Sequence, residues 1–240
     1  MIAFSMAGLT ILLENQYPHG PKYVDFPPLG APDLTIRVSE AEIQAEQPEL
    51  ELTPGYREHV CAYRAIAEQL PDFDAFVMHG AAVVKDDAAY LFTAPSGTGK
   101  TTHLRLWRSV YPDSWILNGD KPTIRRFDGV FYACGTPWRG KERYGNAEMR
   151  PLAGICILSR GKENHIERVD SGAALVRLMR QVYICRDSQR LGKELALLDA
   201  CFRSVPVYEM QCNMEPEAAR VAYEAMRNAP AARPTDQNAQ

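Results

Sequence analysis

Several things are scarce or missing in this chain, and each absence narrows what it can be. No apolar run approaches the roughly 20 residues that a membrane-spanning helix needs. The apolar N-terminus, "MIAFSMAGLTILLEN", is interrupted by Thr10 and Glu14 and carries neither a basic leader nor a small-residue cleavage site. A strand pair is expected there, together with a cytoplasmic location and no membrane partner. There is no Cys-x-x-Cys pair. The six cysteines (Cys61, Cys134, Cys156, Cys185, Cys201 and Cys212) are scattered, without His-rich neighbours. That argues against a zinc site and a disulfide framework, and for reduced, mostly buried thiols. Neither sign of charge is in large excess: the formal net charge is −3, so no overall field recruits nucleic acid or an anionic membrane. No internal repeat is visible.

What is present fits an ordinary folded protein. The 240 residues are 46% hydrophobic and 24% charged, enough to bury a full core in one domain. The expected organisation is a single domain over 1–227, with a β-rich N-terminal portion at 1–55. The Ala/Pro/polar tail at 228–240 is expected to be disordered. Strand patterns occur at 8–14 and 33–39, and helical spacing of Val60, Tyr63, Ala67 and Leu70 predicts a helix over 56–70 that Pro71 ends. Residues 76–85 and 88–93 read as a hairpin turning at Asp86-Asp87. A helix is expected at 101–110, a short strand at 114–120, and another strand after the Asp128-Gly129 turn. Residues 152–158 and 165–169 suggest a second hairpin. Helices at 173–183, 194–202 and 217–226 and a strand at 206–210 complete the pattern.

The segment "LFTAPSGTGKTTH" meets the [AG]-x-x-x-x-G-K-[ST] pattern of a phosphate-binding loop (Walker A), and it does so in the required context of strand, loop and helix. Ala94, Pro95, Ser96, Gly97, Thr98, Gly99, Lys100, Thr101 and Thr102 are the candidate nucleotide-binding residues. Gly97 and Gly99 allow successive N–H groups to converge on an anion, and the helix start adds its positive dipole end. Lys100 suits the β- and γ-phosphates, and the Thr101 hydroxyl suits Mg²⁺. About 20 residues later Asp120 follows the apolar strand residues Trp115, Ile116 and Leu117. A carboxylate at a strand's C-terminal end lies where open α/β sheets hold their ligands, and it can bind Mg²⁺ or act as a base. The short spacing suits a compact kinase. The plainer alternative is turn chemistry at Asn118-Gly119-Asp120.

"MHGAAVVKDDAAYLFTAPSGTGKTT" followed by "ILNGD" resembles the P-loop group that contains HPr kinase and ATP-dependent phosphoenolpyruvate carboxykinase. The likeness covers about residues 75–210, with "RPLAGICILSRGKENHIERV" and "VPVYEM" similar to the later sheet of small HPr-kinase-like proteins, some of which accompany peptide-modification genes. It implies an α/β fold with a P-loop mixed sheet of that type, preceded by a β-rich N-terminal portion. It further implies ATP and Mg²⁺ as cofactors, with Thr101 and Asp120 as metal-binding residues. It gives Asp120 the place of the first acid of the family's Asp pair and His79 the place of its His-Gly histidine. That histidine could orient Asp120 or shuttle a proton; the alternative is a strand-end histidine satisfied by hydrogen bonds. The second acid is replaced by Lys121, which puts metal stoichiometry and any reverse phosphorolysis in doubt. The long signature of bifunctional HPr kinases has no match, so HPr is not the expected substrate, and carboxykinase-type clamps for oxaloacetate are not recognisable.

Residues 135–150 form a long basic connection carrying Arg139, Lys141, Arg143 and Arg150. Arg139 or Lys141 is expected to reach the nucleotide or acceptor, against the alternative of a solvated loop. The expected activity is therefore kinase-like transfer to a Ser or Thr hydroxyl of a protein or precursor peptide. A non-catalytic nucleotide-binding regulator is the rival, and a small-molecule enzyme of carboxykinase type a more distant one. An oligomer is compatible with all three.

Overall fold

A computed structural model describes residues 1–227, so the expected disordered tail lies outside the described residues. Two positive-φ residues, Ala7 and Gly8, turn β1 (Ile2–Met6) into β2 (Leu9–Leu13). This is the left-handed pair that matches strand twist in a two-residue hairpin. The short β3 (Leu34–Ile36) adds in parallel to β2. The small α1 (Glu40–Ala45) begins in a capping box formed by Ser39 and Glu42, which sequence patterning had not suggested. Next, α2 (Pro54–Ala67) starts with Thr53 as cap and Pro54 in its first turn. It stops short of Pro71, which sits in a 3-10 turn at Leu70–Phe73. Phe4, Ile11, Phe26, Ile36 and Ile66 fill the core of this portion, and that core continues onto Ala75, Val77, Cys134 and Trp138.

The expected strand over 76–85 is two strands. β4 (Ala75–Val77) and β5 (Ala81–Lys85) are separated by Met78, His79 and Gly80. The backbone there leaves the strand ladder because it has better-placed acceptors: Met78 N–H donates to the Pro122 carbonyl, His79 N–H to the Gln181 carbonyl and Gly80 N–H to the Asp120 carbonyl. β5 turns through Asp86 and Asp87, both at positive φ, into β6 (Ala88–Thr93). The loop at 94–99 follows, then α3 (Lys100–Val110), β7 (Trp115–Asn118), β8 (Thr123–Phe127) and β9 (Val130–Cys134).

The 12-residue β10 (Met149–Arg160) changes partners along its length. Met149, Arg150 and Pro151 pair antiparallel with β9. A register shift at Leu152/Gly154 follows, and the rest runs parallel to β6. β11 (His165–Val169) does not form the expected hairpin with it. Helices α4 (Ser171–Leu178) and α5 (Ser188–Ser204) carry the chain across, and β12 (Val207–Cys212) inserts between β10 and β11, parallel to the first and antiparallel to the second. The burial requirements explain the order. Val207, Tyr208 and Met210 are buried, whereas β11 exposes His165, Glu167 and Arg168 and suits an edge. α6 (Glu217–Met226) closes the described chain.

The result is a mixed α/β architecture around a nine-stranded mixed sheet. Alternate residues of β5 and β6 enter different cores. Ala82, Val84, Ala89 and Leu91 meet Leu178, Leu197 and Phe202 of α4 and α5, while Val83, Tyr90 and Phe92 meet Leu104 and Trp107 of α3 and Met226 of α6. Both faces of the central strands are therefore covered, which is why these strands read as nearly unbroken apolar runs.

Candidate functional site

The loop between β6 and α3 is shaped by its glycines. Gly97 and Gly99 have φ of +80° and +126°, and a Cβ built at either meets nothing within 4 Å among the described residues. The backbone conformation, not crowding, therefore demands glycine there. Gly99 caps α3 without a side-chain bond, leaving the first helical N–H groups without a side-chain partner. Lys100 is buried, and its ammonium is folded back on the loop, 2.8 Å from the Ala94 carbonyl oxygen and 3.5 Å from that of Pro95. Burial lowers its pKa, an effect that the nearby Asp120 carboxylate opposes. Thr101 and Thr102 are half-buried. Arg160, at the end of β10, braces the loop from the other side: its guanidinium donates to the Gly97 carbonyl at 2.5 Å and to that of Thr98 at 3.2 Å.

Asp120 lies two residues beyond β7, in a turn built by Asn118. The Asn118 side chain is fully buried. Its Oδ1 accepts from Asp120 N–H at 2.9 Å and Lys121 N–H at 2.8 Å, and its Nδ2 donates to Thr136 O and Oγ1, both at 3.1 Å. Thr136 in turn donates to the Lys121 carbonyl at 2.8 Å. So the Asn-Gly-Asp stretch is turn chemistry, and that turn presents the carboxylate. Gly140, at φ +70°, packs so closely that a Cβ there would lie 3.0 Å from Asp120 Cβ.

Two groups flank the carboxylate. Lys121 Nζ is 3.1 Å from Asp120 Oδ1, and His79 Nε2 is 3.6 Å from the same oxygen. The His79 Nδ1 lies 3.0 Å from Gln181 Oε1, so the imidazole bridges Gln181 on one nitrogen and Asp120 on the other. Burial lowers the His79 pKa, and the positive charges of Lys121 and Lys100 lower it further. The imidazole is therefore mainly neutral near pH 7. The His79 carbonyl accepts from Thr93 at 2.7 Å, which ties it to the strand that feeds the loop.

The basic connection disposes its charges differently from one another. Arg139 has its partners in the N-terminal portion. Its guanidinium pairs with Asp25 at 2.6 Å and sits 5.5 Å from the Phe26 ring centre, so it joins the sheet region to the N-terminal portion. Its backbone approaches the Asp120 turn at Gly119, where an added Cβ would come within 3.1 Å of the Arg139 carbonyl. Arg150 pairs with Asp87 and Glu148 and lies over Trp115. Lys141 and Arg143 are exposed. Glu142 of the same connection pairs with Arg105 of α3 at 3.0 Å.

The chain thus brings Ala94–Thr102 (residues 94–102), Asp120 and His79 to one end of the sheet and leaves the Arg139 side chain outside that group. Sequence reasoning missed Asn118, Arg160 and Gln181. Asn118 could have been found from Asn-Gly before the acid. Arg160 and Gln181 carried no local signal, because both reach the site from strands or turns remote in sequence. Among the described residues no group of three or more His, Cys, Asp or Glu side chains could hold a metal by itself. No helix among them is long and apolar enough to cross a membrane. The six cysteines are unpaired with one another.

No family model matches the chain, and no curated protein matches it. Among solved structures, the Hpr(Ser) kinase/phosphatase from Coxiella burnetii aligns over 63% of this chain and 95% of its own, with 10% identity and a TM-score of 0.37. At that score the likeness settles neither family nor activity.

Proposed function

We propose that this chain is a Mg²⁺-dependent, ATP-binding phosphotransferase of the HPr-kinase-like P-loop type. Its expected acceptor is a Ser or Thr hydroxyl of a protein or precursor peptide. One juxtaposition carries the proposal: a glycine-hinged loop and its buried lysine lie at the same sheet end as a carboxylate 3.6 Å from a neutral imidazole. The loop N–H groups and Lys100 would hold phosphate oxygens, Lys100 exchanging its bond to the Ala94 carbonyl for them. Thr101 and Asp120 would hold the cation, which must take its remaining ligands from phosphate and water, as Mg²⁺ commonly does. Bound MgATP would supply the transferable group and part of the charge neutralisation. Asp120, with the neutral His79 imidazole beside it, would accept the acceptor hydroxyl's proton.

A second reading is favoured by one contact. With Lys121 Nζ 3.1 Å from Asp120 Oδ1, that carboxylate oxygen already has a partner, which a cation or an acceptor hydroxyl would have to displace. The chain would then be a nucleotide-binding regulator without turnover. Transfer of labelled phosphate from ATP to serine-containing precursor peptides separates the two. Transfer that Asp120→Asn abolishes, with ATP affinity retained, supports the phosphotransferase. Binding without transfer to any candidate supports the regulator. Unchanged ATP affinity in Lys100→Ala overturns both.

A further inference from the structure

A recess of about 460 Å³ lies between the loop at residues 95–98 and the end of β10, where Leu158, Ser159 and Arg160 line it. Added Cβ atoms at Gly97 and Gly99 would meet nothing within 4 Å among the described residues, so packing does not fix the peptide planes around these glycines. Hydrogen bonds have to fix them, and Arg160 supplies two. Its Nη2 donates to the Gly97 carbonyl at 2.5 Å and its Nε to the Thr98 carbonyl at 3.2 Å. One planar guanidinium thus holds two consecutive carbonyls in a rigid fork. The strand end that carries it is itself held. Arg160 lies opposite Cys212 of β12, Gly161 N–H donates to the Cys212 carbonyl at 2.9 Å, and a Cβ at Gly161 would run into the Gln211 side chain.

The consequence falls on the other face of the loop. A trans peptide unit is planar, and its C=O and the N–H that follows point in opposite directions. With the Gly97 and Thr98 carbonyls turned to Arg160, the N–H groups of Thr98 and Gly99 point away from it. For Thr98 the destination is recorded: its N–H reaches the Pro95 carbonyl at 3.3 Å, the same oxygen that lies 3.5 Å from Lys100 Nζ. The face opposite Arg160 is therefore the face of the lysine. Gly99 N–H is directed to that face, next to the start of α3. A phosphate arriving there would take Lys100 from the Ala94 carbonyl, now 2.8 Å away. The two Arg160 bonds lie on the outer face and can persist.

We propose that Arg160 is the positioning residue of this loop. It touches no phosphate; its fork holds the Gly97 and Thr98 carbonyls outward and so aims the Gly99 N–H at the bound anion before the anion arrives. The inference rests on residues 94–101 being the phosphate loop.

The test measures the full chain's affinity for MgATP and for magnesium tripolyphosphate, together with backbone amide order parameters of the ligand-free protein. Arg160→Gln is expected to weaken both ligands by about tenfold or more and to similar extents, because a loop left to order itself on binding loses affinity. Order parameters at residues 97–99 are expected to fall from about 0.85 to below about 0.6, with β6 and β10 unchanged. Arg160→Lys, which restores the charge but not the fork, is expected to stay within about threefold of Arg160→Gln. Wild-type affinity in Arg160→Lys would make the charge and not the fork responsible, and would overturn the proposal. So would wild-type affinity in Arg160→Gln, which leaves the phosphate loop standing. Loss of order throughout β6 and β10 would make Arg160 a support of the sheet and overturn its role at the loop. Binding of neither ligand by the unaltered chain would remove the loop reading and this inference together.

Discussion

At the scale of single residues, Asn118 shows how a buried amide can position a carboxylate it does not touch. All four of its hydrogen bonds are spent on the turn that carries Asp120 and on the Thr136 strand end. Asn118→Ala would leave buried backbone groups unpaired, at about 1–3 kcal/mol for the group most affected. Thermal unfolding should show that loss, and transfer should fall further than ATP affinity, because the carboxylate moves while the loop stays. Equal loss of both would mean the turn does not position Asp120 independently. Lys100→Ala acts elsewhere. It removes the buried ammonium on the Ala94 carbonyl, so ATP affinity should fall by about 100-fold or more, in keeping with the charge-assisted bonds it would make to phosphate. Titration calorimetry is a sufficient check.

Elements decide the next set of properties. The β5–β6 hairpin places two aspartates, Asp86 and Asp87, at φ of 50° and 58°. Left-handed geometry costs an L-residue about 1 kcal/mol or more, which glycine avoids. The Asp86 carboxylate earns its place by bonding Tyr223 and Lys85, whereas Asp87 is 93% exposed at its side chain and pairs with Arg150, a pair worth little in water. Asp87→Gly should therefore raise stability by about 0.5–1 kcal/mol, measured by urea unfolding; a decrease would give the Arg150 contact more weight than its exposure suggests. The break between β4 and β5 is the more consequential feature. The three residues that leave the ladder there carry His79 to Gln181 and Asp120. Their sequence, Met-His-Gly, is compatible with an uninterrupted strand. What ends the strand is the presence of the Pro122, Gln181 and Asp120 carbonyls, supplied by segments about 40 to 100 residues away in sequence.

For the whole molecule, the buried histidines link stability to pH. Burial holds His103 at about 4 and His59 at about 3, against an ordinary value of 6.5. Nearby charge from Lys22 adds to the effect at His59, which is stacked on Trp138 at 5.0 Å between ring centres. Below about pH 6.5 the unfolded chain takes up these protons and the folded chain does not, so the folded state binds fewer. Their contribution is fully present above that pH and is lost progressively as the pH falls toward 4. Each histidine adds a slope of up to about 1.4 kcal/mol per pH unit within that window. The unfolding temperature should drop steeply between pH 6.5 and 4.5, more shallowly in His103→Phe. A flat profile over that range would show that these rings take up protons without unfolding. Trp138 matters at the same scale: it packs with His59, Tyr63 and Phe4 and joins the N-terminal portion to the connection that also carries Gly140 against Asp120. Trp138→Ala should cost about 3–5 kcal/mol, read by denaturant unfolding, and should lower transfer if the N-terminal portion supports the Asp120 turn.

The sequence by itself determined the pieces whose causes are local. The glycines and lysine of 94–102 specify a loop and a helix start wherever they are placed, Asp86-Asp87 and Asp128-Gly129 specify tight turns, and the apolar spacing of 217–226 specifies α6. Tertiary structure alone decided the partners. β12 rather than β11 lies beside β10, because strand pairing is settled by which faces must be buried, and β11 has polar residues to leave outside. Arg139, expected to reach the nucleotide or acceptor, pairs with Asp25, and Arg160 came to the loop, because a long cation binds whichever acceptor the assembled chain brings within reach. Backbone and turn preferences are short-range and legible in a few residues, whereas the choice of hydrogen-bond and ion-pair partners depends on distances that do not exist until the sheet has formed.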